Sequence, residues 1–316
     1  MIEIEHVSRR FGDALAVNDV SLTIERGTVT AVVGTSGSGK STLLRMINRL
    51  IDPTGGSIRI DGQDTATVAG EALRRGIGYV IQGHGLFPHW TVARNVATVP
   101  ELLGWDRARI ERRLRELLTM LQLDPDTYAG KYPHQLSGGQ QQRVGVARAI
   151  AAEPRVLLMD EPFGALDPVI RTQAQADLLA LQQRLGITVV LVTHDVEEAI
   201  HLGDRVAVMD KGKLLQVATP AAILAHPQLG LVERLIGTGE RALRLLSLAT
   251  VADAVEPGAA EGHPVRAEST LRTALSDLLW QKADSLPVLA ADGTPRGRIT
   301  LRTILARAAA PADRPA

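Results

Sequence analysis

The sequence predicts an α/β fold, an open and mostly parallel sheet flanked by helices, followed by a small α+β unit. Two observations predict it. Short apolar runs alternate with helical patterns from the start to about residue 237, the order that builds parallel strands joined by crossover helices. Several of those runs also end in polar residues, and the carboxyl ends of the strands are where open α/β sheets place their chemistry.

Taken in order, the N-terminal stretch MIEIEHVSRRFG is acidic and alternating, with no apolar signal-peptide core. TVTAVVG (28–34) predicts a buried strand and STLLRMINRL (41–50) the helix after it. GYVIQ ends a further strand at Gln82. The chain then changes character between about 87 and 135, where DRARIERRLRELLTML predicts an amphipathic helix. Its charges read as a solvated face that needs no ligand. RVLLMDEP (155–162) and ITVVLVTHD (187–195) are β-rich and end in polar residues. Residues 238–247 read as a connector. A smaller unit, 248–307, follows, in which the run from Ser269 predicts helix, strand, Asp-Gly turn, strand and helix, and the low-complexity tail 308–316 reads as disordered.

Bulk composition narrows the classes. The chain of 316 residues is long enough for two domains. Lys+Arg and Asp+Glu each number 35, so the formal charge is zero, which speaks against a nucleic-acid partner. With no cysteine, a disulfide framework and a cysteine-ligated metal are both excluded. No apolar run approaches the length that spans a bilayer.

Gly34-Thr35-Ser36-Gly37-Ser38-Gly39-Lys40-Ser41 fits G-x-x-x-x-G-K-[ST] between a strand and a helix. Such glycines let backbone N–H groups converge on phosphate oxygens at a positive helix N-terminus. Lys40 is placed to reach the β- and γ-phosphates of a nucleotide, and the Ser41 hydroxyl to ligate Mg²⁺. A chain of this kind also needs carboxylates. Asp160 and Glu161 close an apolar strand, and side chains of adjacent strand residues point to opposite faces, so the two can take separate tasks. Asp160 is a candidate for the metal shell and Glu161 for the general base. His194, at the end of another strand, falls at the same sheet edge, and Gln82 is a candidate both for the metal shell and for sensing the attacking water. Taken singly, an Asp-Glu pair is more often a helix start and a lone histidine more often structural.

A second glycine turn, Leu136-Ser137-Gly138-Gly139-Gln140, precedes a helical run. It can be a plain helix cap. It can also present N–H groups and a hydroxyl to a γ-phosphate.

Together these motifs resemble the ATP-binding subunit of an ABC transporter, over residues 1 to about 237. Phe11 matches the aromatic that stacks on adenine, and residues Gly34 to Thr42 match the phosphate loop. Gln82 is similar to the Q-loop, 136–140 to the signature, Asp160-Glu161 to the acidic strand end, 164–167 to the D-loop and His194 to the switch histidine. The resemblance implies a P-loop NTPase core with a helical subdomain at about 87–150. It also implies that a second copy of the chain pairs head to tail, each signature completing the partner's ATP site. Wording such as HGLFPHWTVARNVATVP (84–100) resembles the osmoprotectant importers. The segment 248–307 resembles a single CBS motif, also found on glycine betaine, choline and carnitine importers. The implied partners are integral membrane permease subunits and, through them, an extracytoplasmic solute-binding protein, with the chain peripheral on the cytoplasmic face of the inner membrane. An importer of another solute, such as an amino acid, an exporter subunit, and a soluble ATPase acting on DNA or ribosomes are the competing functions. Two departures stand out: Gln82-Gly83-His84-Gly85 carries small residues in the Q-loop, and a CBS-like motif occurs once where such motifs pair.

Overall fold

The computed structural model describes residues 1–83, 85–228, 230–237 and 239–308. His84 of the Q-loop departure and all of the tail except Ala308 lie outside the described residues. The chain divides into two compact units, the first Met1–Val217 and the second beginning at Ala218. The strands are β1 (Ile2–Phe11), β2 (Ala14–Ile24), β3 (Val29–Gly34), β4 (Gly55–Ile60), β5 (Gln63–Asp64), β6 (Ile77–Val80), β7 (Val156–Asp160), β8 (Thr188–Thr193), β9 (Arg205–Asp210), β10 (Lys213–Ala218), β11 (Val265–Arg266), β12 (Ser285–Leu289) and β13 (Pro295–Thr300).

The first unit carries the expected sheet, six strands in the order β10-β9-β3-β8-β7-β6. The pairs β9–β3, β3–β8, β8–β7 and β7–β6 are all parallel. β3, β7 and β8 are buried at every position, as strands covered on both faces must be. Register sets the working edge: Asp160 lies opposite Val192, and the Glu161 backbone N–H donates to the Val192 carbonyl at 2.9 Å.

A second sheet was not anticipated. The alternating N-terminus becomes β1, paired antiparallel with β2 and β4 in the order β2-β1-β4-β5. Its Ile2 and Ile4 are buried while Glu5 is exposed, the alternation of a sheet with one solvated face. The core under it joins Ile2, Ile4 and Val20 to Leu43, Leu44 and Ile47 of the helix Lys40–Ile47 and to Val32 and Val192 of the parallel sheet.

The central region is helical: Val92–Leu102, Arg107–Met120, Pro125–Tyr128 and Gly138–Ile150. The solvated-face reading of Arg107–Met120 holds for Arg107, Arg109, Arg112 and Arg115 but not for Arg113. Arg113 is buried and donates to the carbonyls of Ile150 (3.2 Å) and Ala151 (3.4 Å). Those carbonyls end the helix Gly138–Ile150, where no intrahelical donor remains, so a guanidinium is the fitting partner.

In the second unit, β11 pairs parallel with β12, and β12 antiparallel with β13 through the Asp292-Gly293 turn. Most of the segment 238–247 is not a free linker. Arg241–Leu248 is a helix whose Leu246 is buried among Val251, Leu278 and Ile304. Among the described residues, no helix is long and apolar enough to cross a membrane.

Candidate functional site

β3 delivers the glycine loop to the carboxyl edge of the parallel sheet. Gly39 has φ 98°, and a Cβ there would lie 2.3 Å from the Ala16 carbonyl oxygen, so backbone conformation and space both demand glycine. Gly39→Ala is expected to destabilise the protein by at least about 2 kcal/mol, read from the urea midpoint. Lys40 starts the next helix and turns back, its Nζ donating to the carbonyls of Gly34 (2.8 Å) and Thr35 (2.9 Å) and to Ser38 Oγ (3.3 Å). Burial pushes its ammonium below the ordinary lysine range, opposed by the charges of Glu161 and Asp160. Lysine and both carboxylates therefore meet at one edge.

Ser41 Oγ donates to Asp160 Oδ1 at 2.7 Å. Two oxygen ligands so close together suit a hard divalent cation. Among the described residues no cluster of three or more His, Cys, Asp or Glu side chains forms a metal site, so other oxygen donors, from phosphate, water or an amide, would have to complete any shell. Arg45, four residues after Ser41 on the same helix face, lies 3.6 Å from Asp160 Oδ2. Tyr79 sits against both: burial first, and then the Asp160 charge, raise its phenol above the usual range, while Arg45 counters.

Glu161 separates from Asp160, though not by strand alternation. The strand ends at Asp160, and Glu161 leaves it with φ 46°, a left-handed conformation uncommon outside glycine. Its Oε2 lies 3.2 Å from His194 Nδ1 and 3.4 Å from Gln82 Nε2. The structure thus brings together Lys40, Ser41, Asp160, Glu161, His194 and Gln82. Gln82 stands with Glu161, and no hydrogen bond joins it to Ser41 or Asp160 among the described residues. Gly83 and Gly85 have φ 78° and 57°, so the small residues of this loop serve backbone geometry.

Phe11, last in β1, is 45 % exposed, with the Arg9 guanidinium 4.5 Å from its ring centroid. An exposed ring of this kind is available for base stacking. Ser137 is the N-cap of Gly138–Ile150: its side chain accepts from the Gln140 N–H, and Gln140 Oε1 accepts from the Ser137 N–H at 3.0 Å. Gln140 Nε2 also donates to Tyr128 Oη at 3.1 Å, so this side chain holds the cap. Gly138 remains exposed at the helix start and Gly139 is buried.

Sequence reasoning missed Arg45, Arg171 and Glu198. Arg45 was legible from its i+4 spacing to Ser41. Glu198 carried a signal too, an Asp-x-x-Glu pattern at a helix start. Burial drives its carboxyl up to about 7, with Asp195 adding to the rise and Thr193, Arg171 and His194 opposing it. Because the folded pKa lies above the unfolded value, the fold binds the extra proton and its stability falls as pH rises from about 4.5 to about 7. The loss is on the order of 3 kcal/mol. Glu198→Gln is expected to flatten that slope in denaturation curves taken from pH 5 to 8.

The family model described as "ABC transporter" matches residues 17–164. The glycine betaine uptake system ATP-binding protein YehX of Escherichia coli is 48% identical over 98% of this chain and 100% of its own. The glycine betaine/carnitine/choline transport ATP-binding protein OpuCA of Bacillus subtilis is 43% identical over 96% of this chain and 79% of its own. A solved dimeric ATP-binding cassette, in a post-hydrolysis state with ADP and Pi, superimposes with a TM-score of 0.62 at 34% identity, covering 70% of this chain and 99% of that one. With the glycine loop, the Asp160-Glu161 strand end and His194 gathered at one edge of this sheet, and with relatives matched over almost the whole length, the chain belongs to the ATP-binding subunits of ABC transporters.

Proposed function

We propose that this chain is the ATP-hydrolysing subunit of an importer for quaternary-ammonium osmoprotectants such as glycine betaine, choline or carnitine. The supporting observation is the meeting of Lys40, Ser41, Asp160, Glu161 and His194 at one sheet edge, in a chain similar over nearly its whole length to a glycine betaine uptake ATPase. In this reading Phe11 stacks on adenine. The backbone N–H groups from Gly34 through Thr42 and the Lys40 ammonium bind the phosphates. Ser41, Gln82 and Asp160 would hold Mg²⁺, and the ion would supply charge neutralisation at the phosphate oxygens. Glu161 takes the proton of the attacking water, and His194 and Gln82 hold that carboxylate and the water in line.

Ser137, Gly138 and Gly139 of a second copy face the γ-phosphate, with Gln140 fixing their turn. ATP then closes a head-to-tail dimer, and hydrolysis releases it. That motion drives separate membrane permease subunits, fed by an extracytoplasmic solute-binding protein, with this chain peripheral on the cytoplasmic face of the inner membrane. Residues 248–307 serve as a single CBS-like motif, with the ATP-binding core taken as 1–237.

The test is reconstitution with the cognate permease and binding protein in proteoliposomes, with ATPase measured against a panel of solutes. Stimulation by quaternary ammonium compounds is expected. Stimulation by amino acids or inorganic anions alone would reject the substrate assignment and leave the ATPase reading intact.

A further inference from the structure

His194 reaches Glu161 from the turn after β8, and that turn is tied to a carboxylate with no part in the scheme above. Glu198 lies in the helix Val196–Leu202 and is 6 % exposed. Its Oε2 accepts from Thr193 Oγ1 at 2.8 Å, and the same Oγ1 accepts from the Asp195 N–H at 3.0 Å. The Asp195 carboxylate caps the helix, accepting from the N–H groups of Glu197 (2.8 Å) and Glu198 (3.3 Å). It also faces the Arg171 guanidinium at 3.7 Å, and Arg171 donates to the Leu166 carbonyl at 3.2 Å. The residues on both sides of His194 are therefore held, and both tethers lead to Glu198. Among the described residues, Glu198 Oε1 has no hydrogen-bond partner. A buried carboxylate with an idle oxygen costs stability, so it is a poor choice if only packing is required.

We propose that Glu198 is a positioning residue for His194, acting through Thr193 Oγ1, and that its ionisation tunes turnover. The proposal rests on the reading of His194 as the partner of Glu161. The ionised carboxylate accepts the Thr193 hydroxyl and leaves that oxygen free to hold the Asp195 N–H. A proton on Oε2 would reverse that bond, so that Thr193 Oγ1 accepts from Glu198 as well as from the Asp195 N–H and its own hydroxyl hydrogen loses its acceptor. The charged groups around Glu198 are Asp195, which disfavours its ionisation, and Arg171 and His194, which favour it. β3 and β8, packed against this helix, carry no titratable residue.

The experiment measures kcat and KM for ATP across pH in the full-length protein. Thr193→Val is expected to lower kcat about 10-fold or more with KM changed by less than about twofold, since misplacing a catalytic group affects turnover before binding. Thr193→Ser keeps the hydroxyl and should restore kcat to within about threefold of wild type. Glu198→Gln should lose the acidic limb of the kcat profile that Glu198, with its pKa of about 7, gives the wild type. Equal losses in Thr193→Val and Thr193→Ser, or a wild-type pH profile in Glu198→Gln, would overturn the proposal. The second readout decides alone if Thr193→Val does not fold. His194→Ala separates the two readings. Wild-type turnover there removes the role of His194 itself, whereas a dead His194→Ala beside unaffected Thr193→Val and Glu198→Gln removes only the positioning.

Discussion

Glu161→Gln is expected to bind ATP with near-wild-type affinity and to hydrolyse it about 10²–10⁴-fold more slowly. The amide keeps the length and shape of the side chain and can still meet His194 and Gln82, which lie 3.2 and 3.4 Å from Glu161 Oε2. What it cannot do is accept a proton from water. The phosphate cradle and the Ser41–Asp160 pair are untouched, so binding survives. A dimer closed by ATP then stays closed, and gel filtration with ATP should show a persistent dimer peak. Single-turnover hydrolysis near the wild-type rate would remove Glu161 from the role of base.

The second large effect is expected from complementation. Lys40→Ala removes the only ammonium in the phosphate loop, and Ser137→Arg destroys a cap and places a bulky cation at the signature. Each variant alone should lose ATPase by about 10²-fold or more, the scale seen when a charge-stabilising donor is deleted. Mixed dimers, purified with two different tags, carry both lesions in one shared site and none in the other. Activity should recover to at least about tenfold above either parent. An intact mixed dimer with no recovery, or a crosslink joining Ser137 to the phosphate loop of its own chain, would reject the shared site.

Much of the site was legible because it is built from contiguous motifs. A glycine loop between strand and helix, an acidic strand end and a histidine strand end each announce themselves locally, and parallel register does the rest. The antiparallel sheet was harder to read, since β1 pairs with β4 more than 40 residues away and its bulges break the alternation. Arg113 was hidden for a different reason. Its neighbours Arg109, Arg112 and Arg115 are solvated, and only the end of a distant helix distinguishes it. The turn at Glu161 was invisible because a left-handed glutamate has no sequence signature; the surrounding backbone imposes it. Arg241–Leu248 was misleading because two glycines precede it, and the helix draws its burial from the second unit.

The pairing of Asp160 with Val192 bears on which lengths of chain this protein tolerates. The spacing between Glu161 and His194 is inherited from a ladder of backbone hydrogen bonds, so it behaves as a ruler graduated in residues. Insertions in the exposed tip between β12 and β13 leave that ruler untouched. One residue added or deleted within β8 would slide His194 by about 3.3 Å and turn alternate side chains inside out. A library of single-codon insertions and deletions should therefore show a sharp gap in survival across Thr188–Thr193, bounded within a residue or two by the ends of the strand.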